Sequence, residues 1–253
     1  MTSIVLIHGT NAGPWTMVNL AQHFAAEGRT IHSPAYRFHD PSPSEENRDQ
    51  LTNLSIADYV DDIATAVSGL GEKPILIGHS LGGIVAQKLA ARGMARAIVL
   101  LNGSVNHGTL PTTDEERALG RALMAAGPFW DTVLLPDFET MAHYGLNKLP
   151  QAEQAAVFQK LGPESGRVMF ELFFWMFDAN RTTEIDYAAV DCPVLSISGS
   201  DDLAIPPSTA RTIAQKHRHA TFREAKGFGH YMQLEPDWRE IADIVSAWLE
   251  PLP

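Results

Sequence analysis

The sequence is poor in cysteine, in basic charge and in long apolar runs. Cys192 is the only cysteine among 253 residues, so no disulfide can form within the chain and a reducing compartment is expected. It directly precedes Pro193 at the start of an apolar run, a place that predicts a buried, unreactive thiol. Lys and Arg number 19 against 30 Asp and Glu, a formal net charge of −11 with a pI near 5.3. Nucleic acid and anionic membranes both need a basic surface, so neither is expected as a partner. No apolar run approaches the about 20 residues of a membrane span. The N-terminus has no basic segment leading into a long apolar stretch, so no signal peptide and a cytoplasmic location are expected. Histidine is not scarce, but His217-Arg218-His219 lacks ligand geometry on a strand, where the middle side chain points elsewhere. No metal or organic cofactor is expected. Nothing in the sequence bears on oligomeric state.

What is present fits a globular enzyme. Hydrophobic residues make up 45% of the chain and charged residues 19%, enough apolar material for one large core or a core with an insertion. Short apolar runs recur at Ile4-Val5-Leu6-Ile7, Thr30-Ile31-His32, Ile75-Leu76-Ile77, Ala97-Ile98-Val99-Leu100-Leu101, Val194-Leu195-Ser196-Ile197 and Ala220-Thr221-Phe222. Most are continuous rather than alternating, the pattern of strands covered on both faces of a parallel sheet. Helical patterns lie between them, about 17–27, 56–70, 81–92, 208–217 and 237–249. The order predicts a doubly wound α/β sheet, whose ligands bind outside the carboxyl ends of its strands. His8, Ser80 and Asn102 all follow such ends.

Two stretches break the rhythm. Residues 34–53, with Pro34, Pro41 and Pro43 among many polar residues, read as a long surface loop with no assigned chemistry. Between Asn102 and Val190 no convincing strand is seen, and a structureless loop of that length is implausible, so a helical insertion is expected. Its last helix carries two apolar stripes. Val168, Leu172, Trp175 and Met176 form one; Phe170, Phe174 and Phe177 form the other. The second stripe is expected to line a substrate pocket, plain core filling being the competing use of the same residues.

The most specific local pattern is Gly78-His79-Ser80-Leu81-Gly82, set where an apolar strand meets a helical run. A turn that tight leaves little room for side chains beside the serine and lifts its hydroxyl above the strand end. The amides of the following helix point at the same spot. A serine hydroxyl is a weak nucleophile and needs a base; histidine suits neutral pH, and a carboxylate must fix its tautomer. His230, after the last strand in Gly227-Phe228-Gly229-His230, supplies the base. Asp201 and Asp202 both offer the acid, and only one of them can point inward. His8 and His79 read as structural.

Together, His8-Gly9-Thr10, Gly78-His79-Ser80-Leu81-Gly82, Gly199-Ser200-Asp201-Asp202-Leu203-Ala204-Ile205-Pro206 and Gly229-His230 resemble the α/β-hydrolase superfamily. Within it the likeness is to small serine esterases and lipases with a helical lid, over nearly the whole chain. The chain order Ser, Asp, His is that family's. The resemblance implies a six-stranded, mostly parallel sheet flanked by helices, because the chain has no room for the extra hairpin many members carry first. It implies a core of residues 1–105 and 187–253 with a lid at 106–186. It also implies a catalytic Ser80, Asp202 and His230, the spacing from Gly199 and Pro206 selecting Asp202 over Asp201. Backbone N–H groups of Thr10 and Leu81 would form the oxyanion hole, with Phe170, Phe174 and Phe177 in the substrate pocket. Serine at position 80 departs from the aspartate of dehalogenases and epoxide hydrolases. The expected activity is hydrolysis of a small-molecule carboxylic ester with an apolar part, through an acyl-enzyme. Lactone or thioester hydrolysis, acyl transfer, and a slow-turnover ligand receptor are alternatives the same residues would serve. The segment His32-Ser33-Pro34-Ala35-Tyr36-Arg37-Phe38-His39-Asp40 replaces a turn that many members place beside the site.

Overall fold

Side-chain alternation along the first strand sets the layers. In β1 (Ile4–Ile7), Val5 and Ile7 join the core on one side of the sheet and Ile4 and Leu6 the core on the other. A strand buried on both faces must sit inside a sandwich of helices. The computed structural model describes residues 3–125 and 127–252. Met1, Thr2, Ala126 and Pro253 lie outside the described residues, and with them the outer limits of the expected core. The remaining strands are β2 (Ile31–His32), β3 (Ile75–His79), β4 (Ala97–Leu101), β5 (Val133–Leu134), β6 (Glu164–Ser165), β7 (Val194–Gly199) and β8 (Ala220–Ala225). The helices are α1 (Val18–Ala26), α2 (Arg48–Leu51), α3 (Ile56–Ser68), α4 (Leu81–Ala91), α5 (Asp114–Ala125), α6 (Phe138–Thr140), α7 (Gln151–Phe158), α8 (Gly166–Phe173), α9 (Pro207–Ala214) and α10 (Trp238–Leu249).

The main sheet has six strands in the order β2-β1-β3-β4-β7-β8, and every neighbouring pair runs parallel. Ile56, Ile63, Val85 and Leu89 bring α3 and α4 to one face; Leu20, Phe24, Ile241 and Val245 bring α1 and α10 to the other. The chain leaves β1 toward β2 on one side and later returns to pair β3 on the other. That reversal opens a crevice at the carboxyl ends of β1 and β3. Among the described residues no helix is long and apolar enough to cross a membrane.

The stretch between β4 and β7 holds helices, as the missing strand pattern predicts, and also a short antiparallel ribbon of β5 and β6. Strands of two residues leave no periodicity to read. The expected last helix of the insertion is shorter than its apolar stripes: α8 stops at Phe173, and Phe174 takes φ −120°, ψ 31° before a single 3-10 turn at Trp175–Phe177. Residues 34–53 differ in part. Tyr36 and His39 are fully buried, and Leu51 of α2 is core. The expected surface loop holds for most of its polar residues, with Arg37, Asp40, Pro41, Glu45 and Glu46 exposed, and fails at Tyr36, His39, Pro43 and Leu51, which anchor it to the fold.

Candidate active site

Ser80 stands at the end of β3 and opens α4 with φ 52° and ψ −120°, a strained conformation for a residue with a side chain. Two glycines make that turn possible. A Cβ on Gly78 would overlap the carbonyl of Gly82, and one on Gly82 would overlap the carbonyl oxygen of Ile7 in β1. The backbone is pinned on both sides, Ser80 N–H donating to Leu101 O at 3.0 Å and Ser104 N–H to Ser80 O at 3.0 Å. The Ser80 hydroxyl shares a hydrogen bond with Ser104 Oγ at 3.2 Å.

The loop after β8 brings His230 to the same place. Its Nδ1 donates to Asp202 Oδ2 at 2.9 Å. The other oxygen, Oδ1, accepts the N–H groups of Ala204 at 2.8 Å and Ile205 at 2.9 Å. The Asp202 side chain is wholly buried, and these donors satisfy it as a carboxylate. Asp201 turns outward instead. Its Oδ2 pairs with Lys148 Nζ at 2.7 Å and its carbonyl accepts from Asn147 Nδ2 at 2.8 Å, so it ties the core to the insertion. The hydrogen bonds from Lys148 and Ser200 hold its carboxyl below the usual range.

Three residues that the sequence left without a site role fix the His230 loop. Asn102 Nδ2 donates to the carbonyls of Gly229 and His230, each at 2.8 Å, while its Oδ1 accepts Gly199 N–H at 2.9 Å. Glu235 accepts Gly229 N–H at 2.9 Å. His79 Nε2 donates to His230 O at 2.9 Å; burial, reinforced by His230, pushes its pKa well below the ordinary value, so the ring is neutral. Only the partner loop tells what these groups hold, and it is more than a hundred residues away from Asn102 and His79.

On the β1 side, Gly9 lies so close that a Cβ there would sit 3.1 Å from Ser80 Cβ. Thr10 lines the same cavity as Ser80 and His230. Its N–H makes no hydrogen bond among the described residues, and Leu81 N–H belongs to the unpaired first turn of α4. His8 is buried and neutral, burial with some help from His39 pushing its pKa down to about 3.

The cavity beside Ser80 measures about 280 Å³, with Leu119, Leu134, Met169, Leu172 and Phe173 of the insertion facing Thr10, Ser80 and His230 of the core. Neither Lys nor Arg is among its described lining residues. Its one charged lining residue, Asp137, is engaged in capping α6 through Thr140 N and Oγ1, both at 2.8 Å. The three phenylalanines expected there are elsewhere. Because α8 ends at Phe173, Phe174 and Phe177 face a neighbouring cavity of about 330 Å³, and Phe170 stacks on Phe174 with the Trp130 ring tilted against it. Met169 and Phe173, one residue off the expected stripe, and Leu172 of the other stripe take their place.

Over residues 4–244 the chain matches the family described as the alpha/beta hydrolase family. It is 27% identical over 204 residues, 76% of this chain and 70% of the other, to RutD of Pantoea ananatis (strain LMG 20103), provisionally named a carbamate hydrolase. Among solved structures it is similar to a monoacylglycerol lipase of Paleococcus ferrophilus, with TM-score 0.71, 23% identity, and 98% of this chain and 95% of that one covered. It is also similar to the methylesterase MES16 of Arabidopsis, with TM-score 0.73, 18% identity and 98% of each chain covered. At these identities the two structures show a common fold alone.

Proposed function

The chain belongs to the alpha/beta hydrolase family, and from that membership and the site geometry we propose that it hydrolyses neutral, apolar carboxylic esters of moderate size through an acyl-enzyme on Ser80. The observation that carries the reading is His230, on the wall of the cavity that holds Ser80 and backed by Asp202 at 2.9 Å from its Nδ1. With Nδ1 committed to Asp202, Nε2 is the nitrogen left to take a proton. For attack the Ser80 hydroxyl turns from Ser104 to that nitrogen. Oγ adds to the ester carbonyl as its proton moves to His230, and Asp202 stabilises the imidazolium. The N–H groups of Thr10 and Leu81 meet the oxyanion. His230 then protonates the departing alcohol, and a water, deprotonated in turn by His230, releases the acid and restores Ser80.

The substrate class follows from the cavity. Its aliphatic and aromatic lining suits an apolar acyl chain, and with neither Lys nor Arg among its described lining residues an anionic acid would lose hydration without compensation. Residues 106–186 serve as the lid over the chain. A series of p-nitrophenyl esters from acetate to palmitate, run beside a succinate half-ester, a lactone, a thioester and a carbamate, tests this. Turnover should peak at a neutral ester of intermediate length and vanish in Ser80→Ala. Cleavage of the half-ester or carbamate in preference to every neutral ester, or no turnover at all, would overturn it.

A further inference from the structure

The insertion reaches the core at one buried carboxylate that the chemistry above does not use. Glu164, in β6, is fully buried, yet its two oxygens accept from Tyr59 OH at 2.6 Å, Ser165 N–H at 2.8 Å, Asn11 N–H at 3.1 Å and His39 Nε2 at 3.4 Å. Burial opposes its charge, but His39, Tyr59 and Asn11 more than offset that and leave the carboxyl below its ordinary range; His39 is raised in return. An ionised, four-donor carboxylate has no spare acceptor position for water. Of the three core residues it grips, Asn11, with φ 57°, directly follows Thr10. A second tie runs alongside: Gly162 N–H donates to Asn11 O at 2.9 Å and Asn11 Nδ2 to Gly162 O at 2.9 Å.

The peptide before Thr10 is fixed from the other end. His8 Nδ1 donates to Gly9 O at 2.8 Å. In a trans peptide the carbonyl and the next N–H point in opposite directions, so anchoring Gly9 O on the buried side aims Thr10 N–H away from it. His8 is itself oriented by Tyr36, whose N–H faces Nε2 at 3.5 Å and whose OH donates to His8 O at 2.9 Å. Thr10 thus lies between two clamped peptides, one held by a ring of the core and one by a carboxylate of the insertion.

The geometry points to Glu164 as a positioning residue for the oxyanion loop: it holds Asn11 N–H and thereby keeps Thr10 N–H trained on the carbonyl oxygen of a substrate bound at Ser80. This rests on the hydrolase reading above. Glu164→Gln isolates the role. With its carbonyl oxygen kept on Tyr59 OH and Ser165 N–H, its amide can donate to a neutral His39, and Asn11 N–H alone loses its acceptor. Removing an oxyanion donor outright costs about a hundredfold or more in kcat; mis-aiming one is expected to cost about tenfold, with KM little changed. Tyr59→Phe, which deletes the shortest bond to Glu164 while keeping the ring stacked on Tyr36, should show the same pattern more weakly if Glu164→Gln fails to fold. Backbone amide NMR on the same proteins gives a readout independent of turnover: the Thr10 and Asn11 resonances should shift and the exchange protection of Asn11 N–H fall, with the melting temperature little altered. An unmoved Thr10 resonance, or a kcat equal to wild type, overturns the assignment. If those amides move but the wild-type protein cleaves no ester, the clamp stands and the hydrolase reading is what fails.

Discussion

At the residue scale the two adjacent aspartates are a built-in control. Both carry the same charge and differ only in what surrounds them. Asp202 is enclosed and shared between His230 and two backbone N–H groups; Asp201 is partly exposed on Lys148. An amide at position 202 can neither stabilise an imidazolium nor hold its tautomer, so Asp202→Asn should lower kcat by about four orders of magnitude. Asp201→Asn loses a solvent-screened ion pair worth about 0–1 kcal/mol and should leave ester turnover nearly intact. Kinetics of the two variants on one p-nitrophenyl ester decide the matter, and a larger loss at Asp201 would reverse the assignment. Ser80, Asp202 and His230 could be singled out in the sequence because each sits in a short motif that resembles the family's, and the structure sets His230, bonded to Asp202, on the same cavity as Ser80. Asn102 could not. Its lack of charge was legible, but its bonds to Gly229 and His230 span 127 and 128 residues and exist only once β4, β7 and the last loop are side by side.

At the scale of elements, strands and long helices were legible because burial on both faces leaves a continuous apolar run and burial on one face a periodic one. The glycines of the serine turn illustrate the opposite case, where a single contact decides. Gly82 has the carbonyl of Ile7 where a Cβ would go, while Gly120, midway along α5, has nothing within 4 Å. Gly82→Ala must therefore push α4 away from β1 and should yield insoluble or inactive protein. Gly120→Ala should instead stabilise, by about 0.5–1 kcal/mol through reduced chain entropy and better helix propensity, which is a rise of about 1–4 °C in Tm. Thermal melts check both, and a lowered Tm for Gly120→Ala would show that α5 is strained at that point. The misplaced phenylalanines belong to this scale too. Extending a 3.6-residue period through 168–177 puts Phe170, Phe174 and Phe177 on one face, but the chain leaves the helix at Phe174, whose ring packs 5.8 Å from Phe129. Tertiary packing overrides local periodicity there, and the true lining shifts by a residue.

At the scale of the whole molecule, segments remote in sequence meet around the site, and the loop at 34–44 could be read only in part because two of its polar residues, Tyr36 and His39, turn inward while Arg37 and Asp40 stay at the surface. Tyr36 and His39 pack with His8 and Tyr59, so their polarity, which reads as solvent exposure, is spent on buried partners. Glu235 has the same character and sets a pH dependence for the entire chain. It is buried under the His230 loop, and that burial, with a smaller push from Asp202, raises its carboxyl from 4.5 to about 7, against the pull of Gly229 N–H, Lys148 and His230. A raised value means that the folded chain holds this proton more tightly than the unfolded one. The stability it contributes is complete below about pH 4.5 and is lost as the pH climbs through about 7, by about 3 kcal/mol at most for a shift of that size. The net charge of −11 adds self-repulsion in the same direction, so the wild-type curve alone cannot isolate the group. Glu235→Gln can: its carbonyl oxygen still accepts Gly229 N–H, and it never ionises. Urea unfolding of both proteins at pH 5 and pH 8 should show the variant gaining on the wild type by about 1–3 kcal/mol between the two, the general charge effect cancelling in the difference. Parallel losses in the two proteins would mean that Glu235 is already ionised at pH 5 and that the loop bearing His230 carries a negative charge throughout.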